Sequence, residues 1–225
     1  ICVAIALRRL IFRPMSEARP ISLRERQKED RRARITAAAR RLFVEAGLEK
    51  ITIEAIAEIA GVSSVTVYNY YGTKSGVLLA LVAESDRELL GTLARDLIGK
   101  PQEVVDLVLR FFEIICRHAL DHLDKAVWRQ VISASVSGTE PRFGKSYHEL
   151  DNRLANVLIR EVERLKAIGK VPATSDATHL GWALFNLQNA RFVEFIASDD
   201  VHPNQILRHL RNDLEALMPR PAPRD

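Results

Sequence analysis

Residues 51–75, ITIEAIAEIAGVSSVTVYNYYGTKS, restrict the fold of this chain more than any other stretch. Thr52 stands ahead of the apolar run Ile53, Ile56, Ala57 and Ala60, where its hydroxyl can accept a backbone N–H of the first helical turn. Gly61 ends that helix, because glycine enters the left-handed region at no steric cost. Val62 points back to the core, and Ser63 caps a second short helix in which Val67 and Tyr71, four residues apart, share a face. Gly72 stops that helix, and Thr73 caps a third. Helix, tight turn and helix in this order form a helix-turn-helix, whose second helix enters the DNA major groove.

The charge is distributed to match. Residues 1–75 carry 14 Lys/Arg against 8 Asp/Glu, a net +6, and residues 76–225 carry 19 against 21, a net −2; together they give the overall +4. A basic front on a near-neutral back suits a nucleic-acid module joined to a second unit. At 225 residues the chain is long enough for one or two small domains with ample core. Cys2 and Cys116 are the only cysteines, with no CxxC or Cys/His cluster, which excludes a structural zinc site and points to reduced thiols in a cytoplasmic protein. Cys116 reads as a small core residue.

The opening ICVAIALRRLIFRPM is too short to span a bilayer, and its arginines follow the apolar run instead of preceding it as in a signal peptide. Residues 1–14 are expected to be an upstream extension, with the functional chain starting near Met15. Residues 17–34 form a basic arm running into the first helix, and Arg24, Arg26 and Lys28 are its candidate phosphate or minor-groove contacts. The first helix is expected from Glu29 to Ala46, with Ile35, Ala38, Ala39, Leu42, Phe43 and Ala46 on one stripe and Gly47 closing it.

Beyond the helix-turn-helix the periodicity is helical throughout. Helices are expected over 75–98, 103–120, 123–137, 146–168, 176–197 and 203–217, with Gly138, Pro141 and Gly144 as breakers between the third and fourth of these stretches. Ser175 or Asp176 caps the fifth of them, and Pro203 opens the last. The tail, 219–225, is expected to be disordered. The fold class is all-α. It divides into an extension and arm (1–28), a helix-turn-helix domain (29–80), a helical ligand-binding and dimerisation domain (81–218) and the tail.

The longer string Thr52, Ile56-Ala57, Ala60-Gly61-Val62-Ser63, Thr66-Val67-Tyr68-Asn69-Tyr70-Tyr71, Lys74 and Leu78 resembles the TetR (tetracycline-repressor) family of bacterial regulators. The motif-level resemblance covers roughly residues 31–80. Two positions depart from it: Val65 replaces a small residue or proline, and Tyr71 replaces phenylalanine. The resemblance implies that Thr52, Tyr68, Tyr70 and Lys74 touch the DNA backbone, where hydroxyls and a lysine beside a helix N-terminus suit phosphate oxygens. It implies that Ser64, Val65, Thr66 and Asn69, next to the cap Ser63, face the groove; Asn can pair with adenine, and Val or Thr methyls can pack on thymine. It further implies a homodimer through the last two helices, a palindromic double-stranded operator and an unknown small-molecule effector.

The body carries no catalytic set. Its histidines are scattered without metal spacing, and neither GxSxG nor GxGxxG occurs. No cofactor, metal or membrane partner is expected, and no enzymatic activity. Phe111, Phe112, Trp128, Gln130, Phe143, Tyr147, Trp182, Phe185, Asn189 and Phe192 are candidate linings of an apolar cavity, although aromatic stripes more often form core. The resulting expectation is a repressor released by ligand. The alternatives are an activator or unliganded DNA-binder of the same fold, and an enzyme or carrier built on the helical body.

Overall fold

The computed structural model describes residues 22–46, 50–100, 103–137 and 141–218. The expectations for residues 1–14, Met15, Gly47, Gly138 and the tail 219–225 lie outside these. The described residues form nine α-helices and no strand: α1 (Leu23–Ala46), α2 (Ile53–Ala60), α3 (Ser64–Tyr71), α4 (Lys74–Asp96), α5 (Val104–His122), α6 (Lys125–Val136), α7 (Pro141–Ala167), α8 (Ala177–Ala197) and α9 (Pro203–Leu217).

Two helices begin earlier than the sequence periodicity predicts. α1 starts at Leu23, six residues upstream of Glu29, because Ser22 and Glu25 form a capping box. The Glu25 N–H donates to Ser22 Oγ at 3.2 Å, and the Ser22 N–H donates to Glu25 Oε2 at 2.9 Å. Arg24, Arg26 and Lys28 are therefore exposed residues of the first helical turns, not of an extended arm. α7 starts at Pro141, a position where a proline loses no helical hydrogen bond, and carries Gly144 inside its first turns. Pro141, expected as a breaker, thus starts a helix, and Gly144 lies within it.

α1 packs on α2 and α4 with Ile35, Ala38, Ala39 and Phe43 buried, and Arg34 Nη1 donates to the Ala60 carbonyl at 3.2 Å, tying α1 to the C-terminus of α2. α4 packs on α1 and α3 and also on α5, α6 and α7, so one helix is shared by the front module and the body. α5 is the central helix of the body, with ten of its residues buried, among them Leu107, Val108, Phe111, Phe112 and Ile115. α9 covers it through Ile206, Leu210 and Leu214.

Among the described helices α7 and α8 share the most extensive contact, with a close approach at Gly181. A Cβ there would lie 2.5 Å from Ile159 Cγ1 and 2.8 Å from Ile159 Cα, so only glycine permits the approach. Polar groups fix the corners. The backbone N–H of Gly99 donates to buried Glu161, which is also paired with Arg164. Lys125 Nζ donates to the carbonyls of Ser198 and Val201 at 2.8 and 2.7 Å, which locks the turn after α8 onto α6.

Candidate functional site: the recognition helix and a buried cavity

The short helices α2 and α3 are held by caps at every junction. Thr52 Oγ1 accepts the Ala55 N–H at 3.1 Å, Ser63 Oγ accepts the Thr66 N–H at 3.2 Å, and Thr73 Oγ1 accepts the Gly76 N–H at 3.0 Å. Gly61 adopts φ 64° and ψ 39°, and the N–H groups of Gly61 and Val62 close the end of α2 on Glu58 and Ala57. An eight-residue helix is too short to be stable alone, so its geometry depends on these caps and on packing.

α3 is anchored through Val67, which is fully buried, and half-buried Tyr71. Opposite them, Val65 is 65% and Tyr68 53% exposed, and Asn69 is exposed beside them. Ser64, Thr66 and Tyr70 are half-buried, and Thr52 and Ser63 are exposed. The Arg32 guanidinium lies 5.6 Å from the centre of the Tyr70 ring, which fixes that ring against α1. Lys74 occupies the first turn of α4. A cation at a helix N-terminus opposes the helix dipole, an arrangement that becomes favourable when an anion sits there too. The front therefore presents hydroxyls, an amide, methyl groups and a lysine on one capped, rigid unit. Arg24 and Lys28, four residues apart, share one face of α1, and Arg26 lies on another.

Within the body, a cavity opens between α4, α5, α6, α7 and α8. About 60 Å³ of it is open to the centre of a water molecule. Trp128, Tyr147, Phe185, Asn189 and Phe192 line it, as the sequence predicts. Phe111, Phe112, Phe143, Gln130 and Trp182 do not. The first three are buried core, because α5 and the start of α7 are covered on more than one face. Trp182 is half-buried and packs edge-on to Phe185 at 5.7 Å.

The sequence reading missed the polar lining: Ser85, Asp86, His118, Asp151 and Gln188. The signal was there, since Asp86 falls in the apolar register of Val82, Leu89 and Leu93, and Gln188 falls between Phe185 and Phe192. Asp86 is 7% exposed and accepts from Arg153 at 3.0 Å. Burial raises its pKa, and the hydrogen bond and charge of Arg153 oppose the rise. His118 Nε2 donates to the Ser85 carbonyl at 2.8 Å, and burial together with His122, whose tilted ring lies 4.2 Å away, lowers its pKa. Burial pushes the Asp151 carboxyl up to about 6 and raises the Tyr147 hydroxyl. Trp128 Nε1 donates to the Ala119 carbonyl at 3.0 Å, which leaves only ring carbon for the cavity. Gln188 Oε1 is buried and accepts no hydrogen bond from the described residues. No group of His, Cys, Asp and Glu among the described residues could hold a metal ion, and no described helix is long and apolar enough to cross a membrane.

A capped helix-turn-helix on an all-helical body defines a DNA-binding regulator. Residues 35–81 match the model for bacterial regulatory proteins of the tetR family, so the front module is a tetR-type DNA-binding domain. No curated protein gives a significant sequence match. Among solved structures, a TetR-family transcriptional regulator from Pectobacterium atrosepticum is 20% identical, with 86% of this chain and 94% of that one covered at a TM-score of 0.66. The Thermus thermophilus repressor FadR, in complex with lauroyl-CoA, is 24% identical over 86% and 98% of the two chains at 0.64. A transcriptional regulator from Saccharomonospora viridis in complex with choline is 20% identical over 84% and 96% at 0.62. At these identities the likeness is one of fold.

Proposed function

We propose that this protein is a dimeric repressor that reads a palindromic operator with α3 and leaves it when a small molecule fills the cavity of the body. The observation that carries the reading is the split of α3: Val67 is fully buried, whereas Val65, Tyr68 and Asn69 face outward from a frame capped at both ends. Val65, Thr66 and Asn69 read base edges in this scheme, with Ser63 and Ser64 beside them. Thr52, Tyr68, Tyr70 and Lys74 hold phosphates, and Arg24, Arg26 and Lys28 add backbone contacts from the start of α1.

Dimerisation through α8 and α9 is supported by the outer side of α8. There Ala183, Asn186, Ala190, Val193 and Ala197 are exposed at helical spacing, next to half-buried Trp182 and Leu187. One recognition helix reads only a few base pairs, and a twofold pair reads two half-sites. The sensor role is supported by the cavity, whose walls include α4, the helix shared with the front module. Two proteins of this fold are described in complex with small molecules, choline and lauroyl-CoA. A ligand acts only through a difference in affinity between the DNA-bound and released conformations.

A genomic footprint of the bound protein tests the reading. The expected result is an inverted repeat protected in front of a small set of genes. Protection without sequence preference would contradict it.

A further inference from the structure

The lining of the cavity specifies more than an apolar ligand. Two carboxylates, Asp86 and Asp151, border it, and no lysine or arginine is among its lining residues; Asp86 is engaged by the Arg153 guanidinium. Asp151 is held by no lysine or arginine among the described ion pairs; His148, three residues earlier on α7, is the basic group that acts on its charge, and it does not outweigh burial. Gln188, 1% exposed on α8, lines the cavity, and its carbonyl oxygen accepts no hydrogen bond from the described residues. A buried acceptor without a donor costs roughly 1–3 kcal/mol, so one retained at a cavity wall points to a donor that arrives from elsewhere. The remaining walls are aromatic or aliphatic: Trp128, Tyr147, Phe185, Phe192, Leu89 and Ile115.

Resting on the sensor reading, we infer that the effector is a compact alkylamine in its ammonium form, with its N–H groups donated to Asp151 and Gln188 Oε1 and its carbon part set among Trp128, Phe185 and Phe192. The ammonium supplies both things the site lacks, a positive charge and hydrogen-bond donors. Aromatic rings add attraction for a cation that has left water. A carboxylate ligand would meet two acidic side chains with no lysine or arginine in the lining. A neutral alcohol could satisfy Gln188 but would leave Asp151 uncompensated. Asp151 and Gln188 stand on α7 and α8, the pair held in contact at Gly181, so they approach the cavity from neighbouring helices. The same cation would lie beside the Asp86–Arg153 pair, which joins α4 to α7, and so would act on the contact between the shared helix and the body.

The test uses full-length protein and three probes of one chain length: n-butylammonium, butan-1-ol and butyrate, measured by calorimetry at pH 7.5. The ammonium is expected to bind about tenfold or more tightly than the alcohol, with no binding of butyrate. Asp151→Asn should weaken the ammonium by about tenfold, with little change for the alcohol, and Gln188→Leu should weaken both. Circular dichroism melts of the two variants establish that they are folded. If the alcohol or butyrate binds as well as the ammonium, the amine assignment is wrong and the sensor role survives. If Asp151→Asn leaves the ammonium affinity unchanged, the assignment is wrong as well. If none of the three binds at millimolar concentration, both the amine assignment and the use of this cavity as a sensor fall.

Discussion

Arg153 of α7 donates through Nε to Oδ2 of Asp86 on α4 at 3.0 Å, and the two side chains are unequally buried: Asp86 is almost wholly enclosed and Arg153 about half exposed. The pair joins the helix that starts at the DNA-facing module to the helix that walls the cavity. Burial raises the Asp86 pKa, and Arg153 holds it down. Arg153→Leu should therefore destabilise the protein by about 1–2 kcal/mol at pH 8, less than for a fully buried pair because Arg153 is partly solvated. The lone carboxyl then takes up a proton more readily in the folded state. Its penalty is full at high pH and shrinks as the pH falls, so the deficit should be smaller at pH 5. Urea melts at the two pH values check this, and a deficit independent of pH would contradict it.

Asp151 carries the opposite consequence for its own replacement. Burial pushes its carboxyl up to about 6, above the ordinary carboxylate range. The folded chain thus holds a proton there that the unfolded chain has already lost between roughly pH 4 and 6. The stability gained is complete below that window and is lost as the pH rises through about 6. Asp151→Asn removes the desolvated charge, so its melting temperature should exceed that of the wild type at pH 7.5 and match it near pH 4. A lower melting temperature at pH 7.5 would mean that Asp151 is compensated by charge in the ligand-free protein.

Gly181 sets the distance between α7 and α8. Its missing Cβ faces Ile159 Cα at 2.8 Å and the Ile159 backbone nitrogen at 3.0 Å, as well as the side chain. Gly181→Ala should cost about 1–3 kcal/mol by overpacking, against the few tenths that alanine usually gains in a helix. Adding Ile159→Ala should not restore stability, because the clash is also with backbone. Full rescue in the double variant would assign the contact to the side chain alone.

Most of the helical plan was legible in the sequence because caps and stripes are local. Thr52, Ser63 and Thr73 each bond within three residues of themselves, and a cap is written in the same few letters that it satisfies. The starts of α1 and α7 were misplaced for a related reason. Ser22 and Glu25 form a capping box that lay hidden in a charge run, and Pro141 was read as a stop when it occupies a helix start. The cavity was harder to read, since it is made by five helices meeting in space. Aromatic residues are a weak guide to it: Phe111, Phe112 and Phe143 are core, whereas Asp86 and Gln188, each of which interrupts an apolar stripe, line it. A polar residue in an apolar register points to a cavity more specifically than an aromatic one does, because burying it without a partner is costly.

On the DNA side, Lys74 at the first turn of α4 is assigned to phosphate. Lys74→Ala should weaken binding to all duplexes alike and lower the slope of log affinity against log salt by about 1. Fluorescence anisotropy across a salt series measures both. Loss confined to the operator would move Lys74 to the base-reading group.

The most direct test of DNA reading by α3 compares Asn69→Ala with wild-type protein on two duplexes, the footprinted operator and a scrambled sequence of the same length, at one salt concentration. Asn69 is exposed on α3 beside Tyr68 and makes none of the cap contacts that hold the helix, so its removal should leave the fold intact. The expected result is a loss of about 1–3 kcal/mol on the operator with affinity for the scrambled duplex unchanged. An equal loss on both duplexes, or no loss on either, would contradict the reading of bases by this helix.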